Sequence, residues 1–496
     1  MSLLMPALSF GQTYDDAARF GMLIPQGTAR SIGFGSALGS VGGDFSSLSV
    51  NPAGIGIYRK SEFSFSPSFH FGSDELSYFG TKTDQTSSAF NISNLSLVSV
   101  AAPRNRTSGW RSYGFGIGLN RVADFNRSYS YRGRNDSSAF SETFALDANQ
   151  QLSTYGNLGD QSLGNLGYQS YLIDYDSLSN SYYPLADYRF GPLNQLKSVR
   201  ERGGINELVL NAGGNYDEKI MVGATLGIPI LRYRREMTFQ ETDATGAIPD
   251  FQEARFQQTL TTNGVGVNAK FGVIVKPSNL FRFGAAIHTP TWYSLRDRED
   301  ISLFGNTEGS HQNVNVSLDT REFNYTIRTP WRAVVSATVF GGTWGFLSAD
   351  YEYVDYASSK IVYNTQENQD VYGSGYFNVQ QQLANDSLKA NLQGASNFRI
   401  GIETHLDKLF IRAGLGFYGA AYKNTALFGN GITTLNAGLG YRGAKGFIDV
   451  GFMQSTYKTG EYAYQLPYGG ATGTIAPTAT GNAQRNNLVV TIGTKF

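Results

Sequence analysis

Only four histidines and no cysteine occur in 496 residues, so side chains able to hold a metal or relay a proton are scarce. His70 and His288 fall in segments that alternate like strands, His311 in a loop and His405 in a turn, and no two stand at metal-ligand spacing. The lack of cysteine excludes structural disulfides and thiolate metal sites. Serine is plentiful enough for a Ser-His dyad of the phospholipase type, yet no nucleophile-elbow motif surrounds any serine. Acidic pairs such as Asp15-Asp16 read as solvated surface. The expectation is no metal, no cofactor and no catalytic residue.

The side chains that do suggest chemistry are charges at alternate positions of otherwise apolar segments. Glu62, Lys270, Arg282, Arg332, Asp350, Glu352, Arg399, Glu403, Arg412, Arg442 and Asp449 all stand opposite the large apolar residues of their segments. A guanidinium can give a carboxylate two parallel hydrogen bonds, so the five arginines suit a clamp on a substrate's carboxylate along a polar path. Charges of both signs on neighbouring segments also suit an interior ladder of ion pairs that stiffens the structure and anchors whatever fills it. We favour the ladder; the sequence leaves both open.

The elements that would position these charges are strands. Phe63, Phe65, Phe69 and Phe71 alternate with Glu62, Ser64, Ser66, Ser68 and His70, and Phe281, Phe283, Ala285 and Ile287 with Arg282, Gly284, Ala286 and His288. Leu409, Ile411, Ala413, Leu415 and Phe417 oppose Phe410, Arg412, Gly414 and Gly416 in the same way. Period-2 alternation with one greasy face is the mark of a strand between lipid and lumen. Six pairs of such strands are joined by tight turns: 94–102 to 111–121, 205–213 to 219–231, 264–275 to 280–289, 331–340 to 344–355, 396–404 to 408–418 and 433–442 to 446–456. Long polar stretches separate the pairs, as in a membrane barrel with short turns at one rim and long loops at the other. With strands at 61–71 and 486–496 the count is fourteen. The predicted fold is an all-β, membrane-spanning antiparallel barrel, with residues 60–496 as wall and external loops at 72–93, 122–204, 232–263, 290–330, 356–395, 419–432 and 457–485.

Composition agrees. Charged residues make up 16% of the chain, Lys+Arg and Asp+Glu balance at 40 each, and a nucleic-acid partner is excluded for want of clustered basic charge. No run reaches the roughly 18 apolar residues of a membrane helix. Residues 1–11 read as the remnant of a signal peptide, and the alternating segment ending at Phe496 resembles the signal by which barrel-assembly machinery recognises its clients. Tyr58, Trp110, Tyr113, Trp331, Trp344, Tyr351 and Tyr353 read as interfacial belts.

Residues 12–59 alternate too poorly to be wall and read as a plug. A short helix is expected at 14–20, then a glycine-rich run through Gly27, Gly33, Gly35, Gly39, Gly42 and Gly43. Here Thr28-Ala29-Arg30-Ser31-Ile32-Gly33-Phe34-Gly35, Gly42-Gly43-Asp44 and Asn51-Pro52-Ala53-Gly54 resemble the N-terminal region of the FadL/TodX (OmpP1) family of outer-membrane transporters of hydrophobic compounds. The resemblance covers residues 27–71 and the general strand layout. It implies a fourteen-stranded barrel with an N-terminal hatch, in which Asn51, Pro52, Ala53 and Gly54 belong to the element that obstructs the lumen. It further implies passive uptake of hydrophobic molecules such as long-chain fatty acids across a bacterial outer membrane. The rivals are a scaffold barrel that docks an envelope protein in secretion or assembly, an open polar porin, and an outer-membrane enzyme.

Overall fold

The computed structural model describes residues 14–103, 109–308, 311–364, 374–464 and 477–496. The signal-like residues 1–11 and residues 465–476 of the loop expected at 457–485 lie outside them. Fourteen antiparallel wall strands follow in chain order: β1 Glu62–Tyr78, β2 Thr81–Ala101, β3 Trp110–Asp124 continuing as Arg127–Asn135, β4 Leu193–Tyr216, β5 Ile220–Asp243 and β6 Glu253–Val275. Next come β7 Phe281–His288 with Trp292–Asn306, β8 Arg321–Arg328 with Arg332–Phe340, and β9 Phe346–Asp355 with Lys360–Tyr363. β10 Gly394–Leu406, β11 Leu409–Gly419, β12 Gly431–Arg442, β13 Gly446–Tyr462 and β14 Thr478–Lys495 complete the set. Each strand pairs with its neighbours, and β1 pairs with β14 from Glu62↔Lys495 to Ser77↔Thr480. Among the described residues closure leaves no edge strand, the condition for a sheet in hydrocarbon.

Alternation sorts the side chains as expected. Phe63, Phe69, Phe115, Val267, Phe283, Val335, Phe398, Leu415, Leu439 and Ile492 face out as a belt, while Ser64, Asn94, Asn120, Asn211, Thr338 and Asn436 are buried inside. Tyr113, Trp331 and Tyr351 are exposed on the same outer face, Tyr351 in the row of Val335 and Phe398. Tyr58 is not: it is 4% exposed, packed inside the barrel with Ile55, Val98 and Val209.

The external loops are shorter than the alternation implied. Residues 72–93 are strand except for the turn at 79–80, and most of 232–263 and 290–330 is ladder too. Above the bilayer the outer face meets water, so the apolar-out pattern ends, but backbone pairing continues because each N–H and C=O still gains a partner. Within 122–204, helices α3 Ser141–Tyr155 and α4 Leu163–Gln169 close the external mouth, packing Phe140, Phe144, Leu166 and Leu172 against Tyr78, Tyr131, Phe239 and Phe256 of the extended wall. A further helix, α5 Ser374–Asn391, fills part of 356–395.

Glu241 of β5 lies under this cap. It accepts the Phe140 amide at 3.0 and 3.2 Å and Gln195 Nε2 at 2.6 Å, yet burial outweighs these donors and pushes its pKa from 4.5 up to about 7. A raised carboxyl pKa means the folded cap holds the proton more tightly than the unfolded chain. That stabilisation is complete below about pH 4.5 and is lost as pH rises through about 7. Amides of α3 are therefore expected to lose protection between pH 6 and 8 beyond the intrinsic pH dependence of hydrogen exchange, with Glu241→Gln removing the excess. Equal pH profiles in both proteins would refute this.

Candidate functional site

The N-terminal segment sits inside the barrel as a hatch built from side-chain caps. Thr28 starts helix α2 (Ala29–Gly33) by accepting the Ser31 amide and donates to both Asp44 oxygens at 2.9 and 2.8 Å. Asp44 caps the 3-10 turn Phe45–Ser49, and Asn51 caps Pro52–Ile57, where Pro52 occupies the first turn. Gly42 and Gly43, at φ 63° and 65°, take the left-handed backbone that reverses the chain between these elements. The wall reaches in to bond the hatch backbone: Asn211 to the Pro52 carbonyl, Asn215 to Gly56, Thr225 to Leu48, Asn436 to Ile32, and His288 Nε2 to Val50 at 2.8 Å. Lumen-facing wall glycines admit that backbone; a methyl at Gly401 would collide with the Phe34 carbonyl.

Of the proposed plug motif, Asn51 does most. Its Nδ2 donates to the Gly39 carbonyl at 2.6 Å and to Val273 of β6 at 3.1 Å, while its Oδ1 accepts the Ala53 amide at 3.1 Å. Pro52, Ala53 and Gly54 are buried beneath it, Ala53 against Met221 and Ile274. Asn51→Ala removes a cap and orphans the buried Gly39 carbonyl, an expected loss of about 2–4 kcal/mol in the hatch. Hydrogen exchange of amides 51–58 should report it, with Asn51→Ser, which keeps the cap alone, falling between; unchanged protection in Asn51→Ala would contradict it.

The lumen charges are paired. Arg332 Nη1 meets Glu352 Oε1 at 2.7 Å, and Arg399 bridges Glu352 at 3.0 Å and Asp350 at 3.6 Å. Asp350 in turn accepts the hatch amide of Gly39 at 3.0 Å. Arg412 joins Glu403 at 2.6 Å to Asp449 at 2.7 Å, Arg442 reaches Asp449 at 3.1 Å, and Arg30 of the hatch gives Glu403 two bonds, at 2.8 and 3.0 Å. Lys270 meets Glu207 at 2.6 Å, and Lys495 meets Glu62 at 3.3 Å. Arg282 differs. Its Nη1 donates to the Val41 carbonyl at 3.0 Å and its guanidinium lies 4.3 Å from the Phe340 ring centroid, with no carboxylate at ion-pair distance among the described residues. Asp15-Asp16, expected in solvent, fall on helix α1 (Tyr14–Gly21), where Asp16 is 3% exposed and pairs with Arg19 at 2.5 Å.

Above the hatch the lumen holds a packed apolar cluster, with the Tyr325 and Tyr233 hydroxyls donating to Asp297 and Glu201 at its margin. Leu231, Tyr233, Tyr293, Leu295, Phe323, Tyr325, Ile327, Val354, Ile361 and Tyr363 line a chamber that α1 fills with Ala17, Ala18 and Phe20. Most of these residues fall within 232–263, 290–330 and 356–395, where the lipid-facing alternation stops and the sequence predicts loops. The signal was present but inverted: Tyr293, Leu295, Phe323, Tyr325 and Ile327 alternate with Ser294, Arg296, Glu322, Asn324 and Thr326, apolar inward and polar outward. Beside the chamber the ladder breaks in three adjacent strands at one level, at 289–291 of β7, 329–331 of β8 and 356–359 of β9. Pro290 and Pro330 lack the N–H a ladder needs. Side chains patch the gap: Thr329 Oγ1 accepts the Thr291 amide at 2.9 Å, and Thr291 Oγ1 accepts Asn268 Nδ2 at 3.1 Å. Gly21, ending α1, abuts Pro330 and Tyr356 and receives a bond from Arg332.

By sequence, no protein-family model and no curated protein matches this chain. By structure it is similar to a Pseudomonas aeruginosa FadL homologue and to the Pseudomonas putida toluene transporter TodX. Each aligns at TM-score 0.53 and 11% identity over 96% of this chain, covering 99% and 100% of those chains respectively. The likeness shows a shared fold, the fourteen-stranded barrel whose N-terminal region lies inside it.

Proposed function

We propose, with that fold as the premise, that the chain is a passive channel of a bacterial outer membrane for hydrophobic small molecules, long-chain fatty acids among them. The observation that carries the reading is the apolar chamber: a lumen meant for polar solutes has no use for a compartment lined by Leu231, Tyr293, Ile327 and Val354. A ligand entering through the cap would displace α1, gaining about 25 cal/mol per Å² of apolar surface removed from water. It would leave sideways into the bilayer through the break at Pro290 and Pro330, which lies between outward Ile287 and Trp292 at the edge of the belt. The intact hatch blocks the axial route, and its ion pairs with the wall serve as a ladder rather than a clamp. Insertion would rest on barrel-assembly machinery, and no energy source is implied.

Uptake of a labelled long-chain fatty acid by cells lacking their own transporter tests this. The unaltered chain should support uptake, and Leu231→Lys with Tyr293→Lys, which put charge into the chamber, should abolish it while the barrel still inserts. Full uptake by that variant would end the proposal. So would a stoichiometric envelope partner in the absence of any uptake defect, which points to a scaffold, or a large steady conductance of the intact protein, which points to a porin.

A further inference from the structure

On the outer face of β4–β7 the first polar rows above the apolar belt are cationic. Ile230 and Val265 are the last belt residues of β5 and β6 there, paired across the ladder. One outward position higher, the cross-strand row reads Arg232, Asn263, Arg296; the next reads Arg202, Arg234, Thr261, Arg298. Arg234, Arg296 and Arg298 line an open groove of about 600 Å³ together with Thr259, Thr261 and Asn263, and with the carboxylates of Asp300 and Glu322. Five guanidiniums thus share two rows with neutral donors between them.

The acids nearby do not cancel this charge. Arg234 pairs with Glu236 at 2.8 Å, Arg298 with Asp300 at 3.8 Å and Arg296 with Glu322, all in solvent-exposed pairs of the weak kind. Arg202 and Arg232 have no carboxylate at ion-pair distance among the described residues. Such charge density at the edge of hydrocarbon calls for an anion fixed at that height.

We propose that this face binds the phosphate groups of a phosphorylated lipid headgroup in the external leaflet, with the lipid's acyl chains lying on Ile230 and Val265. Guanidinium forks match phosphate oxygens in pairs, and Thr261 and Asn263 add neutral hydrogen bonds between them. The groove's lowest outward residue, Asn263, stands one outward position above Val265 of the belt, so a lipid satisfies both halves of the surface where a free anion satisfies one. This assignment rests on the barrel's place in the membrane and is independent of what passes through its lumen.

The test uses the purified full chain in detergent, probed by native mass spectrometry with diphosphorylated lipid A, with the same lipid dephosphorylated, and with inorganic phosphate. The expected result is retention of the diphosphorylated lipid alone, undisturbed by millimolar phosphate. The triple variant Arg202→Gln, Arg232→Gln, Arg234→Gln should weaken it on the order of a hundredfold, three interfacial charges having been removed. Changing Arg132 and Arg134, which are exposed further out on β3, should leave it intact. Equal retention of the dephosphorylated lipid, displacement by phosphate, or full affinity in the triple variant would overturn the proposal. The lipid comparison needs no variant, so it decides even if the triple substitution fails to fold.

Discussion

Deleting residues 14–58 should turn an electrically silent barrel into a conducting one. The hatch occupies the lumen at the level of the belt, where Ser64, Asn94, Asn120, Asn211, Thr338 and Asn436 point inward; Asn211 and Asn436 bond its backbone, and Asn120 and Thr338 its Ser49 and Ser40 hydroxyls. Removing it exposes that polar lining, part of which stays bonded within the wall through Ser64–Asn94, Asn94–Asn120, Asn211–Thr225 and Thr338–Ser348, and a polar-lined barrel of this size admits water and ions. In planar bilayers the intact protein is expected to give no unitary steps and the deletion variant to give resolved ones. The chamber is freed at the same time, because α1 is removed with the hatch. Deleting only 14–21 separates the two effects: the hatch remains, so conductance should stay at background while hydrophobic uptake persists or rises. A full deletion that inserts correctly yet stays silent would mean that the cap alone seals the mouth, contrary to the role given to the hatch.

Breaking the buried ion cluster at Arg399 should cost more stability than any other single change considered. Arg399 is 1% exposed and is the cation within reach of Asp350, whose carboxylate also holds the Gly39 amide of the hatch. Arg399→Leu leaves that carboxylate buried without a counter-charge, and losses of this kind run to about 3–5 kcal/mol. Glu352 suffers less, since Arg332 remains 2.7 Å away. The midpoint of guanidinium unfolding in micelles should fall accordingly, and adding Asp350→Asn should restore much of it, because the orphaned charge is then gone. The same pair of variants separates ladder from clamp. If Arg399 held a substrate carboxylate, the restored double variant would be stable but would no longer take up a fatty acid; if it only braces the wall, uptake returns with stability. Loss of stability that Asp350→Asn fails to repair would contradict the pairing itself.

What the amino-acid sequence determined alone is local and periodic. Side-chain direction in a strand repeats every second residue, so Phe283 against Arg282, or Leu415 against Arg412, declares the lipid face and the lumen face without any knowledge of neighbours. Turn chemistry at 217–219, 276–280 and 443–445 declares which strands are hairpins, and from these the strand number, the closed barrel and the N-terminal filler follow.

Only the tertiary structure decided what shares a height inside the barrel. Height depends on the tilt and stagger of fourteen strands, which no local pattern encodes, so Arg30 and Glu403, 373 residues apart, were not recognisable as a pair. The chamber escaped for a related reason. Above the bilayer the polarity of the two faces reverses, and Tyr293, Tyr325 and Ile327 read as loop until the ladder placed them opposite α1. The side on which an apolar residue belongs is set by what lies beyond the wall, and that is a property of the assembled barrel in its membrane.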